Sequence, residues 1–143
     1  MNSTTKRALV AKATINKWGI HHLDVVTVYL NSPLPESDVI YMGLPKEIVE
    51  KEYPRVVQLR KALYGLRQSG YLWNQLITDF LILTGFKQCI SDPFLFVNEE
   101  KEIYLGLYVD DSWITGPDFP VEEIINRISK RFKTTNKGRM KNS

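Results

Sequence analysis

Residues 103–115 read Ile-Tyr-Leu-Gly-Leu-Tyr-Val-Asp-Asp-Ser-Trp-Ile-Thr. The runs Ile103 to Val109 and Trp113 to Thr115 are rich in β-branched and aromatic side chains, as expected of strands buried in a sheet. Asp110 and Asp111 stand between them, which places an acidic pair at a tight turn joining two extended segments. Just upstream, Phe94 to Val97 is another apolar run, separated from Ile103 by the charged stretch Asn98, Glu99, Glu100 and Lys101. A β-hairpin is expected there, so three strands should lie side by side and antiparallel.

Working outward, the positions Leu72, Trp73, Leu76, Ile77, Phe80, Leu81 and Leu83 keep a helical period until Gly85 supplies a stop; this should be the longest helix. Val121 to Phe132 is a second helical stripe, with Glu122 and Glu123 near its start and Lys130 and Arg131 near its end, matching the helix dipole. At the other extremity, Ala8, Leu9, Ala11, Ile15 and Trp18 predict a helix over 4–18, ended by Gly19. Ile20 to Asn31 reads as a buried strand interrupted by Asp24. Val39 to Met42 and Val56 to Leu59 are short extended segments, with Pro45 and a polar helical turn between them. The tail from Thr134 to Ser143 is polar and expected to fray. Strands and helices in this order predict an α+β fold with a mostly antiparallel sheet and the helices on one face. Residues 1–133 would form one domain and 134–143 a disordered tail.

Composition bounds the function loosely. The chain has 143 residues, 43% hydrophobic and 24% charged, and its 19 Lys and Arg against 16 Asp and Glu give a net charge of +3. That balance tolerates a nucleic-acid ligand without demanding one. The single Cys89 excludes an internal disulfide, and no secretory leader pattern opens the chain. An intracellular location is therefore expected. No apolar run approaches the roughly twenty residues that cross a bilayer, so no membrane association is expected.

An Asp inside an apolar strand pattern is costly unless something compensates its charge, and this happens at Asp24 and again at Asp110 with Asp111. Mg²⁺ fits such a pattern: it is a hard cation that commonly binds one or two protein carboxylates together with substrate phosphates. Neighbouring side chains of a regular strand point to opposite faces, so Asp110 and Asp111 converge only if the turn reorients one of them. Taken alone, an Asp-Asp pair at a hairpin tip is more often a solvated turn.

Three stretches in order change that balance: Leu-Asp-Val-Val-Thr-Val-Tyr-Leu-Asn at 23–31, Lys-Ala-Leu-Tyr-Gly-Leu-Arg-Gln at 61–68 and Tyr-Val-Asp-Asp at 108–111. Together they resemble the reverse transcriptase of copia-type retrotransposons. Ile-Tyr-Met at 40–42, Trp73, Gly-Phe at 85–86, Ser-Asp-Pro at 91–93 and Arg-Phe-Lys at 131–133 extend the resemblance over nearly the whole chain. It implies a ferredoxin-like polymerase palm that uses two Mg²⁺ (or Mn²⁺) ions, both held by Asp24 and Asp110, with Asp111 assisting. It further implies deoxynucleoside triphosphates and an RNA or DNA template with primer as ligands, in a cytoplasmic particle or the nucleus. Val25, Tyr29, Tyr64, Gly65, Leu66 and Gln68 would face the nucleotide. Tyr29, five positions after Asp24, stands where the family carries an aromatic gate against the ribose 2′-hydroxyl.

Other residues are read more plainly. Arg60, Lys61 and Arg67 are candidate phosphate contacts or simply a solvated surface. His21 and His22 read as ordinary strand-edge residues, and Trp73 and Trp113 as core rather than base-stacking platforms. Ser69, Gly70 and Tyr71 stand where many relatives have Ala-Pro-Arg, which removes one expected positive charge. On the resemblance, the fingers would precede Met1, the strands that continue the palm and the thumb would follow Ser143, and no RNase H, integrase or protease segment is read within the chain, so the isolated chain is expected to show little processive synthesis. The competing readings are a catalytically inactive retroelement remnant that binds nucleic acid or protein, and a chain that does not fold stably alone.

Overall fold

In the computed structural model, residues 1–26, 28–47 and 55–140 are described. The elements are α1 (Ser3–Ile15), β1 (Ile20–Val25), a short 3-10 helix (Val28–Asn31), β2 (Tyr41–Gly43), β3 (Val56–Gln58) and α2 (Ser69–Leu83). They continue with β4 (Lys87–Gln88), β5 (Leu95–Asn98), β6 (Ile103–Tyr108), β7 (Asp111–Thr115), α3 (Asp118–Arg131) and β8 (Thr134–Met140). A six-stranded sheet runs β4-β5-β6-β7-β1-β8, and β2 and β3 form a separate ribbon. Every strand pairing among the described residues is antiparallel. The fold is therefore α+β with an antiparallel sheet, and the expected hairpins at 94–109 and 103–115 are both present. Among the described residues no helix is long and apolar enough to cross a membrane.

The core lies on one face of this sheet. Leu105 and Leu107 of β6, Ile114 of β7 and Leu23 and Val25 of β1 alternate inward and meet Trp73, Ile77 and Leu81 of α2 and Val121, Ile124 and Ile128 of α3. This is the period-two pattern of the strands closing on the period-3.6 stripes of two helices. The stop expected for α2 is provided by Gly85, whose φ of 98° suits a residue without Cβ. In α3, Asp118 lies in the first turn and Lys130 and Arg131 in the last, as the dipole favours.

Four expectations require correction. The helices do not share one face: α1 lies on the opposite side, where an added Cβ on Gly106 would stand 2.9 Å from Leu9 Cδ1. Gly106 removes the side chain that would hold a helix away, so Thr5, Leu9 and Ala13, spaced by four, become the buried stripe. The first helix also ends earlier than expected, at Ile15, with Lys17 at a φ of 55°. The strand expected over 20–31 stops at Val25, because β7 begins at Asp111, opposite Asp24, and offers no pairing beyond it. The 3-10 helix that follows buries Val28 in the core.

The polar tail is the fourth correction. Residues 134–140 form β8 and pair with β1 from Val25↔Thr134 to Ile20↔Met140. Backbone ladders need no apolar side chains, which is why an edge strand can be written in polar letters. Residues 141–143 of that tail, and most of the polar turn expected after Pro45, lie outside the described residues.

Candidate functional site

Asp24 and Asp111 are directly opposed across the β1–β7 ladder. Strand alternation puts both on the face away from α2 and α3, together with His22 and Trp113. Their side chains are 25% and 37% exposed, open enough for a hydrated ligand to reach. Lys137 Nζ lies 3.5 Å from Asp24 Oδ2 and 3.6 Å from Asp111 Oδ1. His22 Nε2 lies 2.7 Å from the same Asp111 oxygen. Beneath the pair, the buried Ser112 hydroxyl donates to the Leu23 carbonyl at 3.0 Å, which pins the register of the two strands.

Asp110 occupies the turn between β6 and β7. Tyr108 pairs with Asp111, so the turn has two residues, and its first, Val109, has a φ of 54°. Primed hairpin turns demand a positive φ there, and a β-branched residue adopts it only under constraint. Two hydrogen bonds supply the constraint: the Trp73 indole N–H donates to the Val109 carbonyl at 2.9 Å, and the Val25 N–H donates to the Asp110 carbonyl at 2.9 Å. Trp73 is thus core, as expected, and also a brace for the turn. Val25 buries its side chain in the core and faces the site only through its backbone. Among the described residues no group of three His, Cys, Asp or Glu side chains is gathered tightly enough to hold a metal.

The second motif lies against the same end of the sheet. Pro33 bridges Lys61, the Ala62 N–H donates to the Ser32 carbonyl at 2.9 Å, and the Leu34 N–H donates to the Arg60 carbonyl at 2.9 Å. Those ties bring Tyr64 to Tyr29, edge to face, with ring centroids 4.4 Å apart. The Tyr64 phenol is pushed above its ordinary range by burial first, then by the negative charges of Asp110, Tyr29 and Asp24, so it shares a field with the carboxylates. Gly65 has a φ of 91° and open space where a Cβ would be. Leu66 is half-buried, and the Gln68 amide donates to Asp38 Oδ2 at 3.4 Å. A cavity of about 340 Å³ lies beside this cluster, lined by Tyr29, Tyr71, Trp73, Ile77, Leu107 and Val109 among others.

Three residues escaped the sequence reading. His22 is read as a strand-edge residue until β7 places Asp111 diagonally across from it. Lys137 lay in the presumed tail. Asp92, quoted only as part of Ser-Asp-Pro, accepts from the Thr5 hydroxyl at 2.5 Å, the Asn2 N–H at 3.1 Å and the Phe94 N–H at 3.0 Å, tying the start of α1 to the loop before β5. The apolar runs interrupted at Asp24 and at Asp110 and Asp111 are the signals that mark the site in the sequence.

Comparison with known proteins identifies the family. Residues 2–142 match the family model described as reverse transcriptase (RNA-dependent DNA polymerase). The chain is 35% identical over 136 residues to the retrovirus-related Pol polyprotein from transposon RE1 of Arabidopsis thaliana, covering 92% of this chain and 9% of that protein. It is 37% identical over 136 residues to the Pol polyprotein from transposon RE2 of the same plant, with the same coverage. It is 32% identical over 135 residues to that from transposon TNT 1-94 of Nicotiana tabacum, covering 90% of this chain and 10% of the relative. The chain thus spans 9 to 10% of the length of these relatives. With the family match running almost end to end, the chain belongs to the reverse transcriptase (RNA-dependent DNA polymerase) family, in the branch carried by copia-type retrotransposons.

Proposed function

We propose that the chain forms the catalytic palm of an RNA-directed DNA polymerase, which adds deoxynucleotides to a primer 3′-end on an RNA or DNA template. The observation that carries this reading is the cross-strand placement of Asp24 and Asp111, with one positive atom within 3.6 Å of both carboxylates. Two carboxylates around one cation position are the donor set that Mg²⁺ or Mn²⁺ takes, leaving the remaining coordination to substrate phosphates and water. When bound, a pair of such ions activates the attacking 3′-hydroxyl and stabilises the leaving pyrophosphate. Asp24 and Asp111 are the residues that would hold the first of them; the resemblance gives Asp110 a share in both ions, and its position at the turn tip beside Asp111 supports that role.

The rest of the cluster is assigned by its chemistry. Tyr29, held by Tyr64, walls the nucleotide pocket and excludes a ribose 2′-hydroxyl by steric contact. Gly65 permits close backbone approach by the nucleotide, and Leu66 and Gln68 complete that wall. Val25 acts from behind, holding the Asp110 backbone. An antiparallel sheet with α2 and α3 on one face and the carboxylates at the strand ends supports a ferredoxin-like palm. The lone thiol of Cys89 suits a reducing, intracellular setting.

A non-catalytic reading, a retroelement remnant that binds without turnover, is favoured by one observation: among the described residues no three potential ligands are gathered. Titrating Mn²⁺ into the 143-residue chain and following the free-ion electron paramagnetic resonance signal separates the two. The wild type is expected to bind, and Asp24→Asn and Asp111→Asn to weaken binding at least about tenfold while the circular dichroism spectrum is retained. Equal binding by the wild type and both variants would remove the metal site and the polymerase reading with it.

A further inference from the structure

Lys137 reaches the carboxylates from β8, at a local irregularity of that strand. Along β1, His22 pairs with Gly138 and Leu23 with Asn136, so Lys137 is the extra residue of a β-bulge. The bulge is built rather than incidental. Gly138 has a φ of 96° with open space at its Cβ position, and its N–H is held by the Asn136 side-chain oxygen at 2.8 Å. Thr135 pairs with Asp24, so Lys137, two residues on, lies on the carboxylate face, and the bulge leaves it with no direct partner on β1; such irregularities recur beside active sites. The group so placed is an ammonium that lands between Asp24 and Asp111.

We propose that Lys137 is a resident counter-ion of the catalytic pair, holding Asp24 and Asp111 together before a divalent cation arrives and competing with that cation for them. The inference rests on the metal-site reading above. Two negative groups opposed across a ladder repel each other, and like charges directly opposite destabilise a sheet. Lys137 relieves that repulsion, with His22 bonded to the same Oδ1 of Asp111. A divalent ion placed between the same oxygens must displace the ammonium. β8 is the edge strand of the sheet and pairs on one side only, so Lys137 can withdraw without breaking a central ladder. Lys137 is therefore a residue that sets the threshold of metal entry; it acts through the carboxylates.

The test is Mn²⁺ affinity, measured by electron paramagnetic resonance on the 143-residue chain as wild type, Lys137→Gln, Lys137→Arg and Asp111→Asn. Lys137→Gln is expected to bind Mn²⁺ about tenfold more tightly than the wild type, with a lower metal-free melting temperature and a larger rise on adding Mn²⁺. Lys137→Arg keeps the charge and is expected to stay close to the wild type. A merely structural role for Lys137 would lower stability without tightening metal binding. Lys137→Met gives the same reading should Gln disturb the edge strand. Unchanged affinity in both neutral variants, with binding lost in Asp111→Asn, would overturn the proposal and leave the metal site standing. Unchanged binding in Asp111→Asn would overturn both.

Discussion

Replacing Trp73 by Phe tests whether the turn at Val109 and Asp110 is held from behind by α2. Trp73 is only 3% exposed, donates its indole N–H to the Val109 carbonyl at 2.9 Å, and meets Phe132 edge to face at 5.2 Å. Phe keeps an aromatic edge for Phe132 but loses the hydrogen bond, worth about 1 kcal/mol, and less where the bereft acceptor can be hydrated. The Val109 carbonyl faces the buried indole, so the figure of about 1 kcal/mol is kept. Shrinking the ring in a closed core adds about 1–2 kcal/mol for lost contacts and residual cavity. The sum is about 2 kcal/mol, which for a domain of this size lowers the melting temperature by roughly 4–8 °C.

The local consequence should exceed the global one. Val109 stores left-handed strain of about 1–3 kcal/mol, which persists only while its surroundings hold it. Without the indole, the turn is released, and the Val25 amide, bonded to the Asp110 carbonyl, should exchange with solvent faster than the loss of global stability accounts for. Urea unfolding followed by circular dichroism reads the first quantity, and hydrogen exchange at Val25 reads the second. A loss under about 0.5 kcal/mol, or Val25 exchange that tracks global stability alone, would refute the bracing role.

Two further predictions concern a docking contact and the nucleotide pocket. Burial pushes the Asp92 carboxyl up, but hydrogen bonds from Thr5, Asn2 and Phe94, with the N-terminal charge, outweigh it and leave it below the ordinary carboxylate range. Its contribution is therefore present above the unfolded value of about 3.9 and is lost as pH falls through the lower folded value. Asp92→Asn should cost about 1–3 kcal/mol at pH 7 by urea unfolding, and the gap from wild type should close as the medium is acidified; a gap independent of pH would count against this. Tyr29→Val, introduced into a full-length polymerase carrying this segment, should raise ribonucleotide incorporation relative to deoxynucleotide by about tenfold or more, and an unchanged ratio in primer extension would end the gate assignment.

What the amino-acid order determined unaided were features encoded within a short window. The alternation in 103–115 and the charged break at 98–101 were enough for the hairpins, and the helical period from Leu72 to Leu83 for α2, because a side chain's direction follows from its own backbone. Asp24 stood out because a carboxylate inside an apolar run is costly wherever that run is buried. The ordered motifs at 23–31, 61–68 and 108–111 carried the family.

Only the tertiary structure decided which charges meet. His22 and Asp111 are 89 positions apart in sequence, and their contact depends on the register of β1 with β7. Lys137 enters the site from a strand whose exposed, mostly polar side chains carry no burial pattern. The face taken by α1 was likewise invisible locally, since it follows from the missing side chain of Gly106 on a strand some hundred residues away. Pairing register and packing space are properties of two segments at once, and no window along one of them contains both.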